Sequence, residues 1–153
     1  RILLRQKGFH EAKIRRMLVA LQHHLPANHP SKPSLFARIV HIADDFDNMT
    51  SDREGVAKVS PAIALGRMMA AAGEEYDAVL LQLFVNKLGC YPPGTILQLD
   101  DGRWVVVTTG VRSPDTFDRP MSVLAKRADG SFPDSVIPID LAEVDQSVTV
   151  VGA

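Results

Sequence analysis

Leu88-Gly89-Cys90-Tyr91-Pro92-Pro93-Gly94-Thr95-Ile96-Leu97-Gln98-Leu99 is the stretch at which the chain changes character. Two glycines and two prolines within residues 89–94 cannot sustain a helix. Before them, apolar residues recur at helical spacing; after them, they gather in short β-branched runs separated by Asp-Gly turns. The fold class predicted is α+β, with a helical part over residues 1–90 and a small all-β hairpin subdomain over 91–153.

Working back from residue 90, Asp77 caps a helix that ends at Gly89, with Leu80, Leu83, Phe84 and Leu88 on its buried side. Ser60-Pro61 opens an earlier, Ala-rich helix that should stop at Gly73. From Leu35 to about Met49, Phe36, Ile39, Val40, Ala43 and Phe46 form one stripe, and Ile14, Met17, Leu18 and Leu21 form another. Gly8 closes a short helix that begins at or before Arg1.

Working forward, Thr95–Leu99 and Trp104–Thr108 read as a hairpin around Asp101-Gly102. Ser122–Lys126 and Ser135–Ile139 flank a second turn at Asp129-Gly130, and Ser147–Val151 adds a last strand. A β part of this size needs help to be stable. Its apolar positions Ile96, Leu97, Trp104, Val106, Val123 and Ile137 are therefore expected to pack on the helices. A weaker reading makes residues 91–153 an SH3-like interaction piece that offers strand edges.

At 153 residues and 46% hydrophobic, the chain can bury a core and is not a disordered protein. No run approaches the roughly 20 apolar residues of a membrane helix. The single cysteine, Cys90, excludes an internal disulfide and a cysteine-built zinc site, and fits a reducing, cytoplasmic setting. Charge is uneven. Residues 1–34 hold seven bases against the single acid Glu11, while the remainder holds ten bases and 17 acids. All five histidines (His10, His23, His24, His29, His41) fall in the first 41 positions. The basic segment lacks a series of interleaved aromatics and any recognition motif, so it reads as a solvated helix face and no nucleic-acid partner is expected.

Two features can carry chemistry: His23-His24 at the end of a helix, and Asp44, Asp45 and Asp47 on the next. Neighbouring histidines on a helix diverge by about 100°, so they share one ion poorly unless the helix ends there. Asp44 and Asp47, three apart, share a face with Val40 that should point inward, where a carboxylate needs a cation. Asp45 and Asp52 read as solvated. His29 and His41 are minor candidates for an added ligand; His41, three residues before Asp44, equally suits the core.

Leu35-Phe36-Ala37-Arg38-Ile39-Val40-His41-Ile42-Ala43-Asp44-Asp45-Phe46-Asp47-Asn48-Met49-Thr50-Ser51-Asp52-Arg53 resembles a segment of the HD-GYP metal-dependent phosphohydrolases, whose block reads "ARI…IADxYDAxTSxRPY". His23-His24 stands near the place of that family's His-His-Glu, and the likeness extends over roughly residues 1–110. The resemblance implies an HD-like helical bundle hydrolysing the phosphodiester of cyclic di-GMP by a metal-bound hydroxide. It implies His23, His24 and Asp44 as ligands of divalent iron or manganese, and Asp47, Arg53 and Lys58 on the substrate side. The chain departs from the family in lacking the His-Asp pair and in ending its histidine motif with Leu25. Pro26-Ala27-Asn28-His29-Pro30 replaces the Gly-Tyr-Pro loop, and Arg53-Glu54-Gly55 replaces Arg-Pro-Tyr, with Lys58 as a substitute base.

No catalytic residue is assigned within the chain. Three ligands do not hold a two- or three-metal centre, so the chain alone is expected neither to hold stoichiometric iron or manganese nor to turn over cyclic di-GMP. The expected partners are a cyclic dinucleotide or a signalling protein, with homodimerisation left open. The alternative is a degenerate module that binds a nucleotide or a partner protein in signalling.

Overall fold

The computed structural model describes residues 11–53, 55 and 57–151; the helix expected before Gly8 lies outside them. Four helices come first: α1 (Glu11–Gln22), α2 (Leu35–Thr50), α3 (Pro61–Ala70) and α4 (Ala78–Leu88). Five strands follow: β1 (Ile96–Leu99), β2 (Trp104–Val107), β3 (Met121–Lys126), β4 (Pro138–Asp140) and β5 (Val148–Val150). They form one antiparallel sheet in the order β4-β3-β2-β1-β5. The molecule is α+β.

The helix starts have local causes. Ser34 Oγ accepts from the Ala37 amide, and Ser60 Oγ from the Ile63 amide with Pro61 in the first turn. Asp77 Oδ1 accepts from both Val79 and Leu80 amides, and its other oxygen takes a hydrogen bond from Arg38 on α2. α3 ends at Ala70, before Gly73, because residues 71–76 turn back and the Gly73 amide donates to the Tyr76 carbonyl.

The Asp77 carboxyl lies below its ordinary value, first because of the Leu80 amide, with burial opposing and Arg38 adding to the effect. A depressed folded-state value means that its stabilisation is complete above the ordinary value of 3.8 and is lost as pH falls through the lower one. Asp77→Ala should cost about 0.5–2 kcal/mol at neutral pH. Urea titrations should show that cost shrinking under acid; an equal cost at both pH values would contradict the assignment.

α1 and the first turns of α2 leave the expected stripes exposed, whereas Phe46 on α2 and Leu80 and Phe84 on α4 do face the core. α1 buries none of its residues, and Ile14, Leu18 and Leu21 are exposed. On α2 the buried residues are Ala37, His41 and Ile42, while Phe36, Ile39 and Val40 are exposed. On α4 Leu81 is fully buried, Leu80 and Phe84 of the expected stripe pack against the same core, and Leu83 is exposed. The helical core is Ile42, Met68, Tyr76 and Leu81, with Phe46 edge-on to Phe84 at 5.3 Å. Two apolar stripes run along α2. The one facing α3 and α4 is covered, and the one beside α1 is left open among the described residues.

The sheet has a core of its own: Leu97, Leu99, Val105, Val107, Leu124, Ile139 and Leu141. Strand alternation places Leu97 and Leu99 inward with Val105 and Val107. Of the six positions expected to pack on the helices, only Leu97 is fully buried, and it sits in this cluster. Ile96 and Ile137 are exposed, and Trp104 carries the Lys126 ammonium 5.1 Å from its ring. The expectation fails because β1, β2 and β4 turn odd-numbered residues and β3 its even-numbered Leu124 into this cluster, against the 139–148 return and Tyr91, and no helix residue belongs to it. Helices and sheet meet at narrow joints, where the Cys90 amide donates to the Phe117 carbonyl and Pro61 lies beside Gly94.

Candidate metal centre

α1 ends at Gln22, so His23 and His24 lie in the turn that follows. The helical divergence of neighbouring side chains is thereby relieved, and the two rings stand 3.9 Å apart between centroids. His23 Nδ1 lies 3.0 Å from the Val19 carbonyl. A carbonyl only accepts, so the proton sits on Nδ1 and the lone pair on Nε2, the tautomer suited to metal ligation.

Asp44 approaches from α2, and the Asn48 side-chain amide, one turn on, donates to its Oδ2 at 3.1 Å. One ligand atom from each of His23, His24 and Asp44 lies within 4.8 Å of the others. Donors around one ion at about 2.1 Å stand up to about 4.2 Å apart, so a small side-chain adjustment suffices for a shared ion. His23 and Asp44 are half-buried and His24 is exposed. Two imidazoles and a carboxylate suit a borderline divalent metal such as iron, manganese or zinc. Among the described residues this is the single group of three such side chains brought so close.

The other sequence candidates lie elsewhere. Asp47 does not face inward: its side chain is 68% exposed, accepts from Ser51 Oγ at 3.0 Å and stands 3.9 Å from Arg53. Lys58 pairs with Asp52 at 2.7 Å on the surface. It also lines a cleft of about 460 Å³ where Phe46, Thr50, Ser60, Pro93 and Ile96 converge. His29 Nδ1 accepts from the Ser31 amide inside its own turn.

Asp45 departs from the solvated role expected for it. It accepts from the Tyr76 hydroxyl at 2.9 Å and lies 3.5 Å from His41 Nε2. Burial first, and then the Asp45 carboxylate, push the Tyr76 phenol far above its ordinary value. His41 is buried at 5% exposure and joins no candidate metal group among the described residues; its Nδ1 faces the His23 carbonyl. Asn48 was missed as a site residue and His41 was considered only as an added ligand, although their spacings of +4 and −3 from Asp44 place them on its helix face.

No helix among the described residues is long and apolar enough to cross a membrane. No family model matches the chain. No solved structure matches it. Over 119 residues it is 30% identical to the cyclic di-GMP phosphodiesterase PA4108 of Pseudomonas aeruginosa, a match that covers 78% of this chain and 28% of that protein. The chain is thus a distant relative of a cyclic di-GMP phosphodiesterase and spans little more than a quarter of its length.

Proposed function

We propose that the chain is the C-terminal portion of an HD-GYP-like phosphohydrolase acting on cyclic di-GMP, and that His23, His24 and Asp44 are its contribution to a divalent-metal centre of iron or manganese. The observation that carries this reading is the convergence of those three donor groups within 4.8 Å. The relative's name supports the substrate class. A divalent ion held there supplies Lewis acidity toward a phosphodiester.

The chain's own residues bind and orient. Val19 fixes the His23 tautomer, and Asn48 holds the Asp44 carboxylate. Arg53 and Lys58, both partly exposed, are the cations for the substrate phosphates, with Asp47 beside Arg53. The apolar wall of Phe46, Pro93 and Ile96 behind Lys58 gives a nucleobase a surface of suitable scale.

Three protein ligands leave the rest of the coordination sphere to water, so the chain alone binds metal weakly, more weakly as acid protonates the histidines. The test is Mn²⁺ titration of the purified chain together with cyclic di-GMP turnover. One weakly bound ion per chain is expected, with affinity at least about tenfold lower in Asp44→Ala and no turnover in either. Equal affinity in the two proteins would overturn the centre. Tight binding with turnover that Asp44→Ala abolishes would show that the centre is complete in this chain.

A further inference from the structure

α1 buries none of its residues, so apolar packing does little to set where its C-terminal end lies on α2. Polar ties hold it there instead. The Ser34 amide donates to Gln22 Oε1 at 3.0 Å, and the Ala27 and Asn28 amides donate to the Glu75 and Glu74 carbonyls at 2.8 and 3.1 Å. The fully enclosed tie is His41, whose Nδ1 reaches the backbone carbonyl of His23 across 18 residues of sequence. Its Nε2 faces Glu75 Oε1 at 3.2 Å and Asp45 Oδ2 at 3.5 Å without a well-aligned hydrogen bond to either.

We infer that His41 is the positioning residue of the candidate centre: it clamps the His23 carbonyl to α2 so that the histidine pair meets Asp44, while Asp45 and Glu75 hold its ring from the far side. The inference rests on the metal-centre reading above. Because His41 sits three residues before Asp44, one helix face carries both a ligand and the clamp for the opposing ligands. Losing the clamp frees the α1 terminus, and a misplacement of about 1 Å is enough to spoil a ligand set.

The experiment compares the wild-type chain with His41→Leu, which fills the space without a donor, and His41→Asn, whose side-chain amide occupies the Nδ1 position. Co²⁺ titration followed by its visible spectrum should show affinity about 10–100-fold lower in His41→Leu, with an altered band shape. His41→Asn should stay within about threefold of wild type. Proton–nitrogen imidazole spectra of the metal-free proteins should show His41 Nδ1 protonated in wild type. They should also show His23 and His24 resonances displaced in His41→Leu and restored in His41→Asn. Unchanged Co²⁺ binding in His41→Leu, no rescue by His41→Asn, or an unprotonated Nδ1 in wild type would overturn the inference. The last readout needs no folded variant. A wild-type chain that binds no Co²⁺ overturns the metal centre instead, and the imidazole spectra still decide the clamp.

Discussion

Replacing Leu97 by alanine is expected to cost about 2–5 kcal/mol, a large fraction of the total stability of a domain. Leu97 is fully buried on β1, among Leu99, Val105, Val107 and Leu124. Deleting its branched end removes apolar burial and leaves a void that paired strands cannot close. The loss should be uneven. The sheet cluster and the helical cluster share no residue, and Trp104, the single tryptophan, lies on β2. Tryptophan fluorescence therefore reports the sheet, and helical ellipticity reports α1 to α4. In urea the fluorescence transition of Leu97→Ala should shift to lower concentration by more than the ellipticity transition does. A fluorescence shift worth less than about 1 kcal/mol would show that the sheet core is not what holds residues 96–150 together.

Gly89→Ala should cost about 2–4 kcal/mol, an unusual penalty for adding one methyl group. Gly89 caps α4 with φ 89° and ψ 177°, a region that side chains avoid. A Cβ there would stand 2.8 Å from Val111 Cγ2 and 3.0 Å from the Phe117 carbonyl oxygen. The backbone cannot relax easily, because the adjacent Cys90 amide is already bonded to that same carbonyl. Gly66 on α3 is the control: a Cβ meets nothing within 4 Å, and alanine there should stabilise by up to about 1 kcal/mol. Thermal melting of both variants decides the matter. Equal melting temperatures for Gly89→Ala and wild type would contradict the close joint between α4 and residues 111–117.

Both effects depend on features that differ in how far they could be read from residues alone. The glycine at 89 was legible as a helix stop, because termination is a local backbone event. Its contact with Val111 was not, because nothing in the local pattern brings residue 111 back to α4. The β alternation was legible, but it identifies two faces without saying which one is inward. The choice fell to the return over residues 139–148, which covers Leu97 and Leu99 and leaves Ile96 and Val106 outside the core.

The candidate site divides along the same line. The histidine pair and Asp44 stood out in the sequence, through residue type and through a resemblance to a motif. Chain reversal between α1 and α2 then sets them face to face, with the helix ending at Gln22 so that both rings turn the same way. The inward placement of Asp45 and the outward placement of Asp47 went against the reading. Helical spacing tells which residues share a face, but only the packed α3–α4 turn, bringing Tyr76 and Glu75, chooses which carboxylate it covers.

By itself, then, the sequence determined the α+β class, the capped helix starts, the switch at residues 89–94 and the residue types of the candidate centre. These follow from backbone restriction, side-chain capping and periodicity, which act within a few residues. Tertiary structure alone decided which stripe of α2 is covered, that the sheet holds a separate core, and that His41 reaches the His23 carbonyl across 18 positions. Those outcomes depend on which surfaces meet in space, and burial rewards any apolar face that finds a partner, whatever its place in the chain.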